Sequence, residues 1–245
     1  MEDKALLSTE VASGAEKAEL LIVIPAYNEA ENIERVVNHL TANFPQYDYV
    51  VVNDGSRDET AAICQRNGYN LLNLPVNLGL AGAFQAGLKY ADKYGYQYAV
   101  QLAGDGQHRP EYLESMIKKM EEGYDIVIGS RFVGEKKPFT MRMLGSNLIE
   151  MAIRFTTGVN IKDPTSGMRM FSKRMIREFA SGLNYGPEPD TVSYLIRQGA
   201  RVAEVPVIMD ERILGVSYLT PVNAMRYMLK MLISILLIQN FRKRR

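Results

Sequence analysis

The sequence contains a single cysteine, Cys64, among 245 residues, and its charges nearly cancel. One cysteine excludes an intrachain disulfide framework and favours a reducing compartment. The 29 basic and 28 acidic residues give a formal net charge of +1. This balance argues against a nucleic-acid partner, because nucleic-acid binders usually carry a basic excess. The ordinary composition excludes wholesale disorder and fibrous structure, and the length suits one large domain or two small ones.

Long apolar runs are also missing. Residues 1–19 lack the basic start and apolar core of a secretory signal, and we expect them to form a flexible leader. The longest uncharged run in the most apolar region, Met231 to Phe241, is shorter than the roughly 20 residues that a membrane-spanning helix needs.

Residues 220–245 nevertheless carry a distinctive pattern. On a helical wheel the polar residues Asn223, Arg226, Lys230 and Ser234 fall in one arc of about 80°, and the other positions are mostly apolar. This pattern predicts an amphipathic helix that lies in a membrane interface. The basic residues Arg242–Arg245 would attract anionic cytoplasmic lipids. The alternative is a helix buried in the core or in an oligomer interface.

Short apolar runs alternate with segments of helical spacing from Leu20 onward. The runs predicted as strands are Leu20–Ala26, Tyr49–Val52, Tyr69–Leu74, Tyr98–Leu102 and Asp125–Ile128. The segments predicted as helices are Glu29–Leu40, Asp58–Arg66, Leu80–Tyr94, Pro110–Glu121 and Met141–Thr157. Further strand and helix pieces are predicted at Met168–Phe171, Glu188–Arg197 and Ala203–Met209. Such alternation predicts an α/β domain over 20–219, with a mostly parallel sheet and helices on both faces.

Polar clusters follow four of the predicted strands. They are Pro25-Ala26-Tyr27-Asn28-Glu29, Asn53-Asp54-Gly55-Ser56, Gly104-Asp105-Gly106-Gln107-His108 and Gly129-Ser130-Arg131. Open α/β sheets bind ligands beyond the carboxyl ends of their strands. Any one cluster is typical of an ordinary turn, but four of them at one edge predict an active site.

These clusters, in this order, resemble the inverting GT-A glycosyltransferases of family 2. The later segments Asp163-Pro164-Thr165-Ser166-Gly167 and Glu204-Val205-Pro206-Val207 are similar to those of the polyprenyl-phosphate group, which includes the dolichyl-phosphate mannose synthases. The resemblance covers about Leu20 to Leu219. It implies a GT-A fold and a metal-dependent hexosyltransferase that uses a UDP- or GDP-linked sugar.

The resemblance also implies the donor site. Pro25, Tyr27, Glu29 and Asp54 match the nucleotide pocket, with Gly79 near its edge. Simple packing is the alternative for Tyr27, and close helix–sheet packing is the alternative for the glycine-rich segment that contains Gly79. Asp105 and Gln107 match the side chains that hold Mg²⁺ or Mn²⁺, and such hard cations prefer oxygen ligands. His108 is not assigned as a ligand.

Two positions depart from the family pattern. Ala103 stands where the family's Asp-x-Asp motif has its first carboxylate. Because that residue acts only indirectly in some relatives, the alternatives are an active enzyme, weaker metal binding or impaired activity. Tyr218 stands where many relatives have lysine, which removes one cation near the diphosphate. Arg212 is the remaining candidate for that diphosphate contact.

Arg131, Arg142 and Ser146 match the acceptor-phosphate residues of the group. Because Arg142 and Ser146 are spaced i, i+4, they share one helix face. The alternative for Arg142 is a solvated helix arginine. An ionised phosphate is its own nucleophile, so the acceptor needs cations that position it rather than a strong base. Asp105, Arg131 and Arg142 are therefore the candidate catalytic residues.

The resulting hypothesis is an inverting enzyme that moves a sugar from a nucleoside diphosphate to a polyprenyl phosphate, undecaprenyl or dolichyl. It would be peripheral on the cytoplasmic face of the membrane. One alternative is transfer to a saccharide hydroxyl, which needs a base such as Asp163 or Glu188. Another is a catalytically impaired sugar-nucleotide-binding subunit. A homo-oligomer or a small membrane-protein partner is left open.

Overall fold

A computed structural model describes residues 18–135, 137–181, 186–210 and 221–240, apart from the side chains of 141, 142, 221–223 and 240. Most of the expected leader, residues 1–17, lies outside these ranges. The described residues form seven strands: β1 Leu20–Ala26, β2 Asp48–Asp54, β3 Leu71–Leu74, β4 Tyr98–Gln101, β5 Ile126–Ser130, β6 Arg169–Ser172 and β7 Val202–Pro206. They form one sheet in the order β3-β2-β1-β4-β6-β5-β7. The predicted α/β fold with a mostly parallel sheet is confirmed.

Eight helices accompany the sheet in the described ranges. They are α1 Ile33–Asn43, α2 Thr60–Arg66, α3 Gly79–Tyr94, α4 Leu113–Glu121, α5 Met141–Thr157, α6 Lys173–Ser181, α7 Pro189–Arg197 and α8 Pro221–Leu236. Short 3₁₀ turns occupy Pro110–Tyr112 and Ile238–Asn240. The predicted helices are present, and α5 has the predicted bounds. Helix α6 was not predicted, and it covers the sheet with Met175, Ile176 and Phe179.

The sheet separates two apolar layers, and the alternation of side chains along β1 explains why. Leu21 and Val23 pack in one layer, whereas Ile22 and Ile24 pack in the other. Helices α1, α2 and α4 cover one face. Helices α3, α5, α6, α7 and α8 cover the other. Each fully buried aliphatic side chain stabilises the fold by roughly 1.5–3 kcal/mol. Because its side chains pack in both layers, β1 is the centre of the core, as its continuous apolar run predicted.

Strand β6 departs from the predicted parallel pattern. It pairs antiparallel with both β4 and β5, while β5 pairs parallel with β7. The spacing of apolar residues in a sequence indicates that a strand is buried, but it does not encode the direction of the strand. Because β6 runs against its neighbours, it begins at the edge where β4 and β5 end.

Helix α8 corrects part of the predicted membrane pattern. Met228, Met231 and Ile235 are buried against the rest of the fold. Ser234, which belongs to the predicted polar arc, is buried, and its hydroxyl donates to Asp190 Oδ2 at 2.5 Å. Arg226 remains exposed. One side of α8 is thus core, and none of the helices in the described ranges is long and apolar enough to cross a membrane.

An ion pair closes the end of the sheet opposite the predicted site. Asp125, just before β5, accepts from Arg174 Nε at 2.8 Å and from the Arg201 backbone N–H at 3.0 Å. Burial alone would raise the pKa of Asp125, but the hydrogen bonds from Arg174 and Arg201 lower it overall. The stabilisation is therefore present above the unfolded-state pKa and is lost as pH falls through the folded-state pKa.

We expect Asp125→Asn to reduce the free energy of unfolding by roughly 1–3 kcal/mol at pH 7, since charged hydrogen bonds are lost. The difference from wild type should shrink as pH falls below about 4, because the wild-type carboxylate then becomes protonated. Urea unfolding of both proteins across this pH range measures it. An equal difference at every pH would show that the Asp125 charge is unimportant.

Candidate active site

The four polar clusters meet at one edge of the sheet. Strands β1, β2 and β4 are parallel neighbours, and β5 runs in the direction of β4 because both oppose β6. The carboxyl ends of these four strands therefore point the same way, as the sequence predicted. The loop before β6 arrives at this edge as well.

The loops after β1 and β2 are bonded to each other. The Asn28 backbone N–H donates to Ser56 Oγ at 3.0 Å, and the Arg57 N–H donates to Asn28 Oδ1 at 2.9 Å. Asn28 adopts a left-handed φ of 56°, which asparagine tolerates better than most residues. Tyr27, between these loops and β1, is 43% exposed, so simple core packing does not account for it.

Asp54 is buried at the end of β2, where it meets the start of α3. Its Oδ1 accepts from the Leu78 N–H at 2.7 Å. Burial raises the pKa of Asp54, and hydrogen bonds from the Leu78 and Gly79 N–H groups partly offset the rise. Gly55 is required here, because it has a φ of +64° and a Cβ would lie 2.8 Å from the Asn77 nitrogen.

The remaining predicted nucleotide residues lie around this corner. Pro25 is buried in β1, and a Cβ on Gly104 would lie 3.0 Å from its carbonyl oxygen. Glu29 Oε2 accepts from Asn32 Nδ2 at 2.8 Å. Gly79 has no atom within 4 Å of its Cβ position, whereas a Cβ on Gly87 would lie 2.2 Å from Val23. Close helix–sheet packing therefore explains Gly87 and not Gly79.

The loop after β4 presents two oxygen-bearing side chains on one turn. Asp105 Oδ1 accepts from the Gln107 N–H at 3.0 Å. Gln107 Nε2 donates to the Asp210 carbonyl at 3.3 Å. The amide nitrogen of Gln107 therefore faces Asp210, and its amide oxygen faces away from that carbonyl. Within the described ranges no group of three or more His, Cys, Asp or Glu side chains forms a metal cluster.

His108 lies behind this turn as a structural residue. Its Nδ1 accepts from the Ala103 N–H at 3.0 Å. Desolvation lowers the pKa of His108 to about 4, and the charge of Asp105 partly opposes the change, whereas that of Arg131 adds to it. A Cβ on Gly167 would lie 3.2 Å from the ring. The neutral imidazole therefore packs between the β4 loop and the loop before β6.

Arg131 follows β5 and lies close enough to influence His108 electrostatically. Its Nε donates to Asp163 Oδ2 at 2.7 Å and its Nη2 donates to Asp163 Oδ1 at 2.8 Å. Asp163 is completely buried, and the Arg131 side chain is 25% exposed. One buried carboxylate thus fixes a cation at the edge of the sheet.

Of the other predicted acceptor residues, Ser146 is buried in α5, and its Oγ has no hydrogen-bond partner among the described residues. Arg142 also belongs to α5, but its side chain is outside the described part of the chain. Arg212 and Tyr218 lie outside the described residues as well.

Asp210 was missed by the sequence reasoning. Arg109 Nε donates to both of its carboxylate oxygens, at 2.9 and 3.0 Å, and the Asp210 N–H donates to the Gln107 carbonyl at 2.9 Å. Asp210 therefore ties the segment after β7 to the loop that holds Asp105. The sequence held one sign of this role, because Asp210 is a polar residue directly after the predicted segment Ala203–Met209.

Comparisons with known proteins agree with this geometry. The family model described as "Glycosyl transferase family 2" matches residues 21–179. The chain is 31% identical to polyprenol monophosphomannose synthase of Mycolicibacterium smegmatis over 86% of this chain and 84% of that protein. It is also 31% identical to undecaprenyl-phosphate mannosyltransferase of Micrococcus luteus, over 81% and 86% of the two chains.

A likeness in fold extends to a solved structure, glucosyl-3-phosphoglycerate synthase of Mycobacterium tuberculosis in complex with Mn²⁺, UDP and phosphoglyceric acid. The TM-score is 0.64 at 20% identity, and the match covers 92% of this chain and 79% of that one. The order of the loops, the sheet that gathers them and the sequence matches lead to one conclusion: this chain belongs to glycosyl transferase family 2.

Proposed function

We propose that this glycosyltransferase moves a sugar from a nucleoside diphosphate to a polyprenyl phosphate. The observation that carries the proposal is that both candidate bases are already engaged. Asp163 is paired with Arg131, and Glu188 Oε2 accepts from the Tyr227 hydroxyl at 2.5 Å. An ionised phosphate needs no base, whereas a saccharide hydroxyl does. The names of the two mannosyl-transferring relatives support the same acceptor class.

In the proposed reaction an oxygen of the acceptor phosphate bonds to the anomeric carbon of the sugar. The bond from that carbon to the diphosphate oxygen breaks, and the nucleoside diphosphate leaves with the electron pair. Attack from the opposite face inverts the configuration. Arg131 would hold the attacking phosphate, with Arg142 and Ser146 as further contacts, because charge-assisted hydrogen bonds from arginine suit phosphate geometry.

On the donor side, Pro25, Tyr27, Glu29, Asp54 and Gly79 would form the nucleotide pocket, and Arg212 would contact the diphosphate. UDP and GDP both remain candidates. Asp105 and Gln107 fit a hard divalent cation, since both offer oxygen and the Gln107 nitrogen is occupied by Asp210. When bound, Mg²⁺ or Mn²⁺ stabilises negative charge on the departing diphosphate.

An apolar surface on α5 and α8 supports attachment to the membrane. Exposed side chains on α5 are Leu144, Leu148, Met151 and Phe155, and those on α8 are Met225, Leu229, Ile233 and Leu236. The two helices pack together, since a Cβ on Gly145 of α5 would lie 2.7 Å from Met228. Ser146 and Arg142 also belong to α5. Contact between this apolar surface and the cytoplasmic face of the membrane would therefore bring the phosphate of the polyprenyl acceptor to the site.

The direct test is a panel of UDP- and GDP-linked sugars incubated with a short polyprenyl phosphate. We expect one donor to give a lipid-linked sugar of inverted configuration when Mn²⁺ or Mg²⁺ is present. Mass spectrometry and NMR of the product measure both points. Transfer to saccharides with no lipid-linked product would contradict the proposal, and no donor turnover at all would favour the impaired-subunit alternative.

Asp105→Asn should reduce kcat by about 10²-fold or more, because the developing charge on the leaving group loses its stabilisation. Ala103→Asp should lower the Mn²⁺ concentration that gives half-maximal rate, since it restores a second carboxylate on the same loop. Initial rates over a Mn²⁺ titration measure both variants. Asp125→Asn is the control, as it removes a carboxylate at the other end of the sheet; the metal assignment fails if Asp105→Asn behaves like this control.

Leu229→Glu and Phe155→Glu should each weaken binding to vesicles of anionic phospholipid by roughly 10-fold, since an exposed apolar side chain no longer enters the membrane. Flotation measures the bound fraction. Gln65→Glu adds the same charge on α2 and should leave binding unchanged.

Point substitutions suit this test better than deletion of α8, because a deletion would expose the core that Met228, Met231 and Ile235 complete. Transfer to a short, water-soluble polyprenyl phosphate should stay near the wild-type rate in both variants. Vesicle binding that equals that of Gln65→Glu would rule out this surface.

A further inference from the structure

Among the described residues, hydrogen bonds hold Arg131 from one side. Asp163 accepts from its Nε, its Nη2 and its backbone N–H, the last at 3.1 Å. No described residue accepts a hydrogen bond from Nη1, and the guanidinium carbon lies 5.2 Å from the centroid of the Phe132 ring. A guanidinium carries five N–H donors in a rigid fork, so the side that Asp163 leaves unused can still donate.

Asp163 is itself held by Glu204 on β7. Glu204 Oε1 accepts from the Asp163 N–H at 2.8 Å, and Oε2 accepts from the Lys162 N–H at 2.7 Å. Glu204 pairs in register with Ile128 of β5, only three residues before Arg131. The carboxylate of Glu204 therefore spans two consecutive backbone donors and fixes the loop that carries Asp163.

A second contact fastens the same loop to β5. Ser166 Oγ donates to the Gly129 carbonyl at 2.6 Å, and the Ser166 N–H donates to the Asp163 carbonyl at 3.1 Å. The loop is thus bonded to β7 at its start and to β5 at its end. The position of Asp163, and with it the direction of the Arg131 guanidinium, is set by side-chain-to-backbone hydrogen bonds that join this loop to two strands.

We propose that Asp163 and Glu204 are positioning residues for the acceptor phosphate, and this inference rests on the proposed function. Glu204 fixes the backbone at Lys162 and Asp163, and Asp163 then directs the unused donors of Arg131 toward the phosphate. A free arginine side chain loses rotamer entropy when it is fixed. Because Asp163 holds Arg131 in advance, the acceptor does not bear that cost on binding.

The competing explanation is that Glu204 and Asp163 only stabilise the fold. The Asp125–Arg174 pair offers a matched control, because it repeats the same geometry at the other end of β5. Arg174 donates to Asp125 through Nε and Nη2, and a backbone N–H, that of Arg201, adds a third bond. This pair is remote from the carboxyl edge of the sheet, so its loss affects stability without affecting the acceptor.

The experiment compares Asp163→Asn, Glu204→Gln and Asp125→Asn in steady-state transfer from a nucleotide sugar to a short polyprenyl phosphate. Asp163→Asn should raise KM for the polyprenyl phosphate by roughly 10-fold or more, because charged hydrogen bonds that orient Arg131 are lost. Glu204→Gln should raise it less, since the amide oxygen still accepts one N–H. KM for the nucleotide sugar should stay within about twofold of wild type in both.

The double variant Asp163→Asn/Glu204→Gln gives an independent readout. If both residues act through Arg131, its acceptor KM should equal that of Asp163→Asn alone, because residues that act in series are not additive. Asp125→Asn should lower Tm while it leaves both KM values unchanged.

Three results would overturn the inference. The first is a parallel rise in both KM values with a loss of Tm like that of the control, which is what a purely structural role produces. The second is an unchanged acceptor KM in folded Glu204→Gln and Asp163→Asn. The third is a wild-type protein that glycosylates no polyprenyl phosphate. This last result removes the proposed function as well, whereas the first two leave it intact.

Discussion

The antiparallel direction of β6 is the constraint on which the site depends. Strand β6 lies between β4 and β5 and runs against both. It therefore begins at the edge where β4 and β5 end, and the loop that precedes β6 reaches this edge. That loop brings Asp163 to Arg131. The inserted strand also sets β4 and β5 two strand spacings apart, about 10 Å.

The electrostatics of this edge suit an acceptor that is already ionised. The carboxylate beside Arg131 is buried and paired, and Glu188 is bonded to Tyr227. His108 is neutral because desolvation lowers its pKa. Among the described residues, this edge presents the Arg131 cation and the oxygen-bearing side chains of the turn that holds Asp105 and Gln107. These groups can orient two phosphates, but they are poorly suited to removing a proton from a sugar hydroxyl.

Much of the fold was predictable from the sequence. The buried run of β1 and the polar clusters after β1, β2, β4 and β5 predicted the sheet and the edge at which these clusters meet, because they depend on local pattern. Contacts between distant residues were not predictable. The helical wheel placed Ser234 on a polar arc, but it gave no sign of its partner Asp190, which lies 44 residues away. Glu204 and Asp210 likewise make their contacts only with loops that the fold brings to them. The direction of a strand was also not predictable, because the spacing of apolar residues does not encode it.

The central claim is that a phosphate, not a hydroxyl, attacks the sugar. The most direct test offers the wild-type protein two acceptors of equal chain length, a polyprenyl phosphate and the corresponding polyprenol, with the nucleotide sugar that it turns over. Radiolabelled sugar extracted into the lipid phase measures transfer. The account predicts label on the phosphate and none above background on the alcohol. Comparable transfer to the alcohol would contradict it, because that reaction requires a base that neither Asp163 nor Glu188 is free to supply.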